Sequence, residues 1–238
     1  VREVRQDYAV YNQSINGYKI GLVPVTVGVT YTDKLPGWLG GRNFASLSEV
    51  FNVGTFGDDI QHTWTEADKY YTVSRMQPAR LQPLSGEQRG NNSGAQWMTF
   101  WKVEAQYAND GNLVPVEQIA LGGHNTVRGY RNKSYYGENG GYGTLELRTP
   151  MLNNYLGDWL GFEKRGDNPF DRLQFVGFVD YGLYNKRDAR TDQSSWNSLL
   201  GSGLGLRAGL TQYSQLCADF AVPLFHPDEN AEIGRAHV

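Results

Sequence analysis

The sequence has few of the features that mark a disulfide-rich protein, a nucleic-acid-binding protein or a protein with membrane-spanning helices. Cys217 is the one cysteine, which excludes an internal disulfide framework and a cysteine-rich zinc site. The formal net charge is -3, so no basic surface argues for nucleic acid as a partner. No apolar run reaches the roughly 18 residues that a membrane helix needs.

Motifs for catalysis are also missing. The chain contains no GxSxG, HExxH, Walker loop or paired-cysteine pattern. His124 as a general base, or Glu138 with Glu146 as a carboxylate pair, would be the candidates for an active site. No serine or carboxylate has a diagnostic spacing to His124, and a solvated histidine and structural carboxylates account for these residues more simply. We therefore expect no enzyme activity, no metal and no cofactor.

Alternation of apolar and polar residues is abundant instead, in a chain with 29 glycines and 15 tyrosines. Apolar residues recur at every second position, a period that predicts strands rather than helices. The alternation is clear in six segments, 18–32, 95–108, 143–149, 172–182, 203–210 and 214–222. Weaker signals lie at 1–12, 43–57, 66–82 and 230–238. The sequence therefore predicts an all-β, antiparallel fold of about ten strands.

The length of these strands favours a membrane barrel over a soluble β-sandwich, although both remain possible. Strands of soluble sheets average about 5–6 residues, whereas tilted membrane strands need roughly 9–11. A membrane barrel turns its apolar strand faces to lipid and its polar faces to the lumen. The expected lipid-facing residues are Leu145, Leu147, Phe175, Val179, Leu204, Leu206, Phe220 and Val222. The expected lumen-facing residues are Glu146, Arg148, Arg207 and Asp219.

The connections between the predicted strands differ in length. Strands at 198–211 and 213–222 are joined by almost nothing, whereas 153–169 and 184–197 are long and polar. Short turns on one rim and long loops on the other are typical of outer-membrane barrels. We expect the two kinds of connection to lie on opposite rims.

Residues 121–150 carry the most specific motif, LGGHNTVRGYRNKSYYGENGGYGTLELRTP. LGGHNTVRGYR resembles the loop-six motif of the Omp85 superfamily, the outer-membrane barrels that insert or secrete other proteins. EQIALGGHNTVRGYR, followed by GENGGYGTLELRTP, is most similar to two-partner secretion transporters of the ShlB/FhaC/HecB (haemolysin secretion/activation) type. FVDYG at 178–182 resembles the family's F-x-D-x-G strand motif. GLGLR at 203–207 and ADFAVPL at 218–224 resemble its closing strands.

The resemblance implies a transmembrane β-barrel in the bacterial outer membrane. Family barrels of this type have sixteen strands and are preceded by POTRA domains, whereas about ten strands fit here. We therefore interpret residues 1–238 as the C-terminal part of such a barrel, with the POTRA domains and early strands absent from this chain. In the family the sixth loop folds back into the lumen, and here that loop would span about 110–141.

The resemblance also implies a contact that holds this loop in place. A guanidinium keeps its charge when buried, so Arg128 needs an acid nearby. Alternation places Asp180 on the polar face of its strand, where the family's aspartate meets the arginine. The residues of this loop-six lock are Val127, Arg128, Gly129, Tyr130 and Asp180. The supporting motif residues are Gly122, Gly123, Phe178, Gly182, Gly203, Gly205, Asp219 and Pro223.

The function that the resemblance implies is export of an unfolded partner protein through the barrel. The expected partners are that secreted client, outer-membrane lipid and lipopolysaccharide, and we expect a monomer. A BamA/TamA-like insertase that assembles outer-membrane proteins remains an alternative, which the number of POTRA domains would decide. A passive porin and a soluble β-sandwich binding module are more distant alternatives.

Overall fold

The computed structural model describes residues 2–10, 13–33, 35–57, 68, 70–84, 96–109, 112–153, 172–188, 193–211 and 214–225. Twelve strands lie within these described ranges. They are β1 (Arg2–Val10), β2 (Gln13–Thr32), β3 (Arg42–Gly57), β4 (Tyr71–Pro83), β5 (Met98–Ala108), β6 (Ile119–Leu121), β7 (Tyr135–Gly137), β8 (Asn139–Arg148), β9 (Leu152–Asn153), β10 (Arg172–Asp188), β11 (Gln193–Thr211) and β12 (Ser214–Pro223). A short 3-10 turn spans Trp38–Gly40. Among the described residues, no helix has the length and apolar character to span a membrane.

Ten of these strands form one antiparallel sheet. Its order is β1-β2-β3-β4-β5-β8-β10-β11-β12, and the short β9 pairs with β10. The strands β6 and β7 form a separate two-stranded ribbon within the connection from β5 to β8. The all-β antiparallel prediction is confirmed. The described strands form one continuous sheet with a small ribbon, not the two facing sheets of a sandwich.

The alternation of the sequence is visible as two different faces of this sheet. On β8, Leu145 and Leu147 are 56% and 43% exposed, whereas Glu146 between them is 5% exposed. The other predicted lipid-facing residues are also exposed, apart from Leu206, which is half-buried. Monomeric soluble proteins rarely expose an apolar surface of this extent. The apolar face is therefore without protein cover over the described strands.

The predicted boundaries are wrong at one connection. Residues 184–197 are not a long loop, because β10 continues to Asp188 and β11 begins at Gln193, where these two residues pair. Residues in this region are mostly polar, so the sequence shows no apolar alternation that would indicate a strand. Main-chain hydrogen bonds pair the two strands here, and these bonds need no apolar residue. The weaker strand predicted at 230–238 lies outside the described residues.

The prediction about the rims is also wrong. Because β8, β10, β11 and β12 are successive antiparallel neighbours, the connection from β8 to β10 leaves the same rim as the two-residue connection from β11 to β12. Short and long connections therefore occur together on that rim. The opposite rim carries the four-residue connection 189–192 and the long connection from β5 to β8.

The connection from β5 to β8 spans residues 109–138, so the loop ends three residues earlier than the predicted 141. Gly140 and Gly141 belong to β8, where they pair with Gln106 and Ala105 of β5. A Cβ at Gly141 would lie 2.6 Å from the main-chain oxygen of Glu104. These glycines therefore serve close strand packing and are not part of the loop. We call residues 109–138 the long loop.

Candidate functional site

The long loop packs against the polar face of the sheet instead of projecting into solvent. Leu121 and Val127 of the loop are both 0% exposed. Together with Ile119 of the loop, they form an apolar cluster with Tyr142 of β8, Tyr184 of β10 and Leu199 of β11. The loop is therefore attached to the sheet by a core of its own.

Two glycines give the loop the backbone shape that this packing needs. Gly122 and Gly123 follow β6 with φ values of 98° and 97°. Residues other than glycine rarely adopt this backbone conformation. The amide of Gly123 donates to the main-chain oxygen of Val127 at 3.1 Å, and Lys133 donates to Gly122 at 3.1 Å. The chain therefore reverses at once after β6 and presents Val127 and Arg128 to the sheet.

Arg128 meets Asp180 in a bidentate contact. Its Nε and Nη2 donate to the two carboxylate oxygens of Asp180 at 2.7 and 2.8 Å. The main-chain amide of Arg128 also donates to Asp180, at 3.0 Å. The side chains of Arg128 and Asp180 are 6% and 0% exposed. Paired planar contacts of this kind are among the strongest polar interactions in proteins.

Two further carboxylates complete the surroundings of the guanidinium. Arg128 Nη1 donates to Glu146 of β8 at 2.9 Å and approaches Asp219 of β12 at 3.5 Å. Phe178 of β10 lies below it, with its ring centroid 3.4 Å from the guanidinium carbon, which adds a cation–π contact. Arg128 therefore joins β8, β10 and β12 through one side chain.

The same carboxylates also bind two arginines of the sheet. Arg148 pairs with Glu146 at 2.7 Å, and Arg207 of β11 pairs with Asp219. Three guanidinium groups thus face three carboxylates, and their formal charges cancel. A buried charge is tolerated only where such compensation exists. Removal of Arg128 would leave the network with an excess negative charge beside Asp180.

Several glycines allow the loop to approach the strands closely. A Cβ at Gly182 would lie 2.7 Å from Val127 Cγ2, and one at Gly201 of β11 would collide with the main-chain oxygen of Arg128. Gly203 similarly leaves room for the ring of Phe178, and Gly205 for the side chain of Asp219. A strand with side chains at these positions would hold the loop away from Asp180.

Tyr130 ties the loop to the interior of β11 and to the residues that follow β12. Its hydroxyl lies 2.6 Å from the main-chain oxygen of Phe225 and 3.0 Å from that of Leu200, and it can donate to either. It also accepts from the amides of Leu200 and Phe225 at 3.1 and 3.2 Å. Next to it, a Cβ at Gly129 would lie 2.8 Å from the main-chain nitrogen of Pro223. Both residues thus place the loop against the end of β12.

The structure brings most of the sequence-predicted site residues to this one place. Gly122 and Gly123 shape the turn that leads there, and the others line the contact itself. Sequence reasoning missed Gly201 and the main-chain partners of Tyr130. It also missed that Glu146, expected to be lumen-facing, binds Arg128. The GSGLGLR run around Gly201 carried a usable signal, because repeated glycines in a strand indicate close approach of another backbone.

The arrangement is suited to holding a segment in place. His124 is exposed, and the Glu146 carboxylate is shared between Arg128 and Arg148. Within the ranges that the structure describes, no three His, Cys, Asp or Glu side chains are grouped to hold a metal ion.

Comparison with known proteins agrees with this architecture. The family model described as "Haemolysin secretion/activation protein ShlB/FhaC/HecB" matches residues 13–208. A relative named "Outer membrane transporter CdiB" from Escherichia coli O6:K15:H31 (strain 536 / UPEC) is 28% identical over 220 residues, which are 90% of this chain and 32% of the relative. Another protein of that name from Escherichia coli is 30% identical over 220 residues, with the same two shares.

The chain thus spans about a third of the length of these curated relatives, 32% in both. Both relatives are named as outer membrane proteins, and the location of this protein is the bacterial outer membrane. The family model covers most of the chain. The chain belongs to the ShlB/FhaC/HecB family of haemolysin secretion/activation proteins.

Proposed function

We propose that this chain is part of an outer-membrane β-barrel that exports an unfolded partner protein, as in two-partner secretion. Family membership and the similarity to proteins named outer membrane transporters support this proposal. The sheet supports it too, since one face is apolar and exposed while the other carries charged residues. A protein that conducts a polypeptide needs a polar interior of this kind.

We propose that the exposed apolar face of the sheet contacts outer-membrane lipid and lipopolysaccharide. An open sheet would leave two strand edges unpaired, and lipid does not tolerate unpaired main-chain groups. We therefore propose that residues 1–238 form the C-terminal part of a larger closed barrel that functions as a monomer. The long loop then lies in the lumen, on the route of the exported chain.

The contact between Arg128 and Asp180 is the observation that carries the proposal. A loop in a conducting lumen must hold one defined position, and a bidentate charged contact defines position better than apolar packing does. The same contact can be released, because water in a wet lumen solvates both charges when they separate. We propose that this pair locks the long loop in its docked position and that correct docking is required for export.

Export of the partner protein by the full-length parent tests the proposal. Arg128→Ala should lower the amount of secreted partner strongly while the barrel still inserts, which a heat-modifiable gel shift reports. Arg131→Ala is the matched control, because Arg131 lies three residues away on the same loop and is exposed. Unchanged export in Arg128→Ala would refute the proposed role of the lock. Equal loss in both variants would show a general sensitivity of the loop to lost charge.

A further inference from the structure

A second polar cluster joins the long loop to the sheet at a place away from Arg128. Arg75 of β4 contacts Glu117 of the loop, with 3.0 Å between Nη2 and Oε2. Arg75 Nε donates to Gln106 Oε1 of β5 at 2.9 Å. Gln106 in turn donates through Nε2 to the main-chain oxygen of Glu117 at 2.8 Å. The three residues therefore form a closed triangle between two strands and the loop.

This cluster holds both ends of the loop. Gln106 Nε2 also donates to the main-chain oxygen of Glu138, the last loop residue, at 3.2 Å. The amide of Glu138 donates to the main-chain oxygen of Asn185 in β10 at 3.1 Å. Glu117 is only 2% exposed, and Gln106 is 7% exposed. Buried polar groups with several partners of this kind specify one arrangement of the chain.

Apolar side chains support the same region. Leu113, which precedes Glu117 in the loop, is 3% exposed and packs in a cluster with Val50, Tyr71, Val73 and Ala108. Val114 beside it is 2% exposed, and its main-chain oxygen accepts from the amide of Glu117 at 2.9 Å. The start of the loop therefore has both a polar and an apolar attachment to β3, β4 and β5.

The cluster shares no residue with the contact around Arg128. Arg128 binds carboxylates on β8, β10 and β12, whereas Glu117 of the cluster binds side chains of β4 and β5. The ribbon of β6 and β7 lies between them in the chain, and Gly122 and Gly123 follow β6 with positive φ values. A two-glycine step between two fixed points is where a chain can bend at least cost.

We infer that Arg75, Gln106 and Glu117 form a root anchor that fixes the base of the long loop independently of Arg128. Arg75 and Gln106 are positioning residues, since they act on the site through Glu117 and the β6–β7 ribbon. When the contact around Arg128 is released, the loop bends at Gly122–Gly123 while its base stays in place. The consequence for export rests on the proposed function, but the independence of the two anchors does not.

Cysteine labelling in the full-length parent tests this inference without any measurement of export. The background carries Cys217→Ser, and one cysteine is introduced either at Val127 or at Val114, with 0% and 2% exposure. A water-soluble maleimide reports opening at each place. The comparison variants are Arg128→Ala and Arg75→Ala, which delete the same side chain from each anchor.

We expect Arg128→Ala to raise the labelling rate at position 127 by roughly tenfold or more while position 114 stays protected. Arg75→Ala should raise the labelling rate at position 114 while position 127 stays protected, because it removes the Arg75 cation from the buried Glu117 carboxylate. Arg75→Lys should give an intermediate rise at 114, since lysine retains the charge but lacks the two separate nitrogens with which Arg75 meets Gln106 and Glu117. Arg80→Ala is the matched control on β4, because it deletes the same side chain from the same strand at a residue that contacts Asn43 and Gln82.

Three results would overturn the inference. Arg128→Ala opening both positions would show that the loop is one unit. If Arg75→Ala opens position 127, the loop is likewise one unit. If Arg75→Ala leaves position 114 protected, the cluster is not an anchor. If labelling follows the expected pattern but Arg75→Ala exports the partner at the parental level, the root anchor is supported, and its proposed importance for export fails separately.

Discussion

Asp180 accepts three hydrogen bonds from Arg128, two from the guanidinium at 2.7 and 2.8 Å and one from the main-chain amide at 3.0 Å. The side-chain bonds alone would fix only the tip of a flexible residue. The third bond fixes the backbone of the loop at the same carboxylate. Asp180 therefore determines the position of the loop itself, and the two residues should behave as one unit.

The first prediction is that the effects of Arg128→Ala and Asp180→Ala are not additive. Either change breaks a buried pair, which costs about 3–5 kcal/mol when the partner remains behind. The double variant should export little less than either single variant, because a shared interaction is lost only once. A double-mutant cycle on export by the full-length parent measures this. Two defects that simply add would show that the residues act separately.

Arg128→Lys should rescue only part of the function that Arg128→Ala loses. Lysine supplies the charge but not the planar pair of donors that meets Asp180, and its ammonium cannot also reach Glu146 in the same geometry. Export should fall clearly below the parental level. The matched change Arg131→Lys, at an exposed residue of the same loop, should have no effect. Parental export by Arg128→Lys would mean that charge alone is sufficient.

The faces of the strands could be predicted from the sequence because each face has one physical character. On β8, the charged Glu146 stands between two leucines, Leu145 and Leu147. This contrast in polarity makes the two-residue period visible within three residues. Residues 184–197 carry no such contrast, although β10 and β11 pair through most of this region. Main-chain hydrogen bonds form these parts of the strands, and they leave no pattern in the side chains.

The candidate site was predictable only in part for a similar reason. Arg128 and Asp180 are recognisable because a buried guanidinium requires a carboxylate. The hydroxyl of Tyr130 instead binds main-chain groups of Leu200 and Phe225, which every residue type offers. Glu146 is shared between Arg148, two residues away on β8, and Arg128 of the long loop, and no local spacing encodes where the loop places Arg128.

Gly201→Ala should displace the loop without disturbing the sheet. The new Cβ would meet the main-chain oxygen of Arg128, with the carbonyl carbon at 3.2 Å, and overpacking of this kind costs about 1–3 kcal/mol. A cysteine at position 127 should therefore become reactive to a water-soluble maleimide. Gly177→Ala is the control, since the nearest atom to its Cβ would be Leu204 Cδ2 at 3.9 Å. Continued protection in Gly201→Ala would contradict the observed packing.

Tyr130→Phe should loosen the loop at β11 and β12 while the contact with Asp180 remains. The change removes a hydroxyl that bridges the main chain of Leu200 in β11 and that of Phe225 just after β12, at a cost of about 1–3 kcal/mol. We expect faster proteolysis within the long loop and a smaller loss of export than in Arg128→Ala. Tyr136→Phe is the control, because Tyr136 lies in the same loop and is 41% exposed. Equal proteolysis of the two variants would exclude a role for the bridge.

The last prediction concerns the apolar face of the sheet. Leu204 lies in the middle part of β11 and is 71% exposed, whereas Leu35 lies in the connection between β2 and β3 and is 78% exposed. If the apolar face contacts lipid, Leu204→Arg places a charge in hydrocarbon, which costs about 2–4 kcal/mol near the midplane. Leu35→Arg places the same charge at a rim, where the cost is about 0–1 kcal/mol.

Refolding of the full-length parent into lipid vesicles measures the difference, with the heat-modifiable gel shift as the readout. The yield of inserted barrel should fall in Leu204→Arg and stay near the parental level in Leu35→Arg. The two leucines are similarly exposed in the chain, so water alone would treat the substitutions alike. The two yields should differ only if the strands lie in hydrocarbon, which excludes charge, and the rim lies in water or among headgroups, which accept it. Equal yields would therefore contradict the lipid-facing orientation of β11.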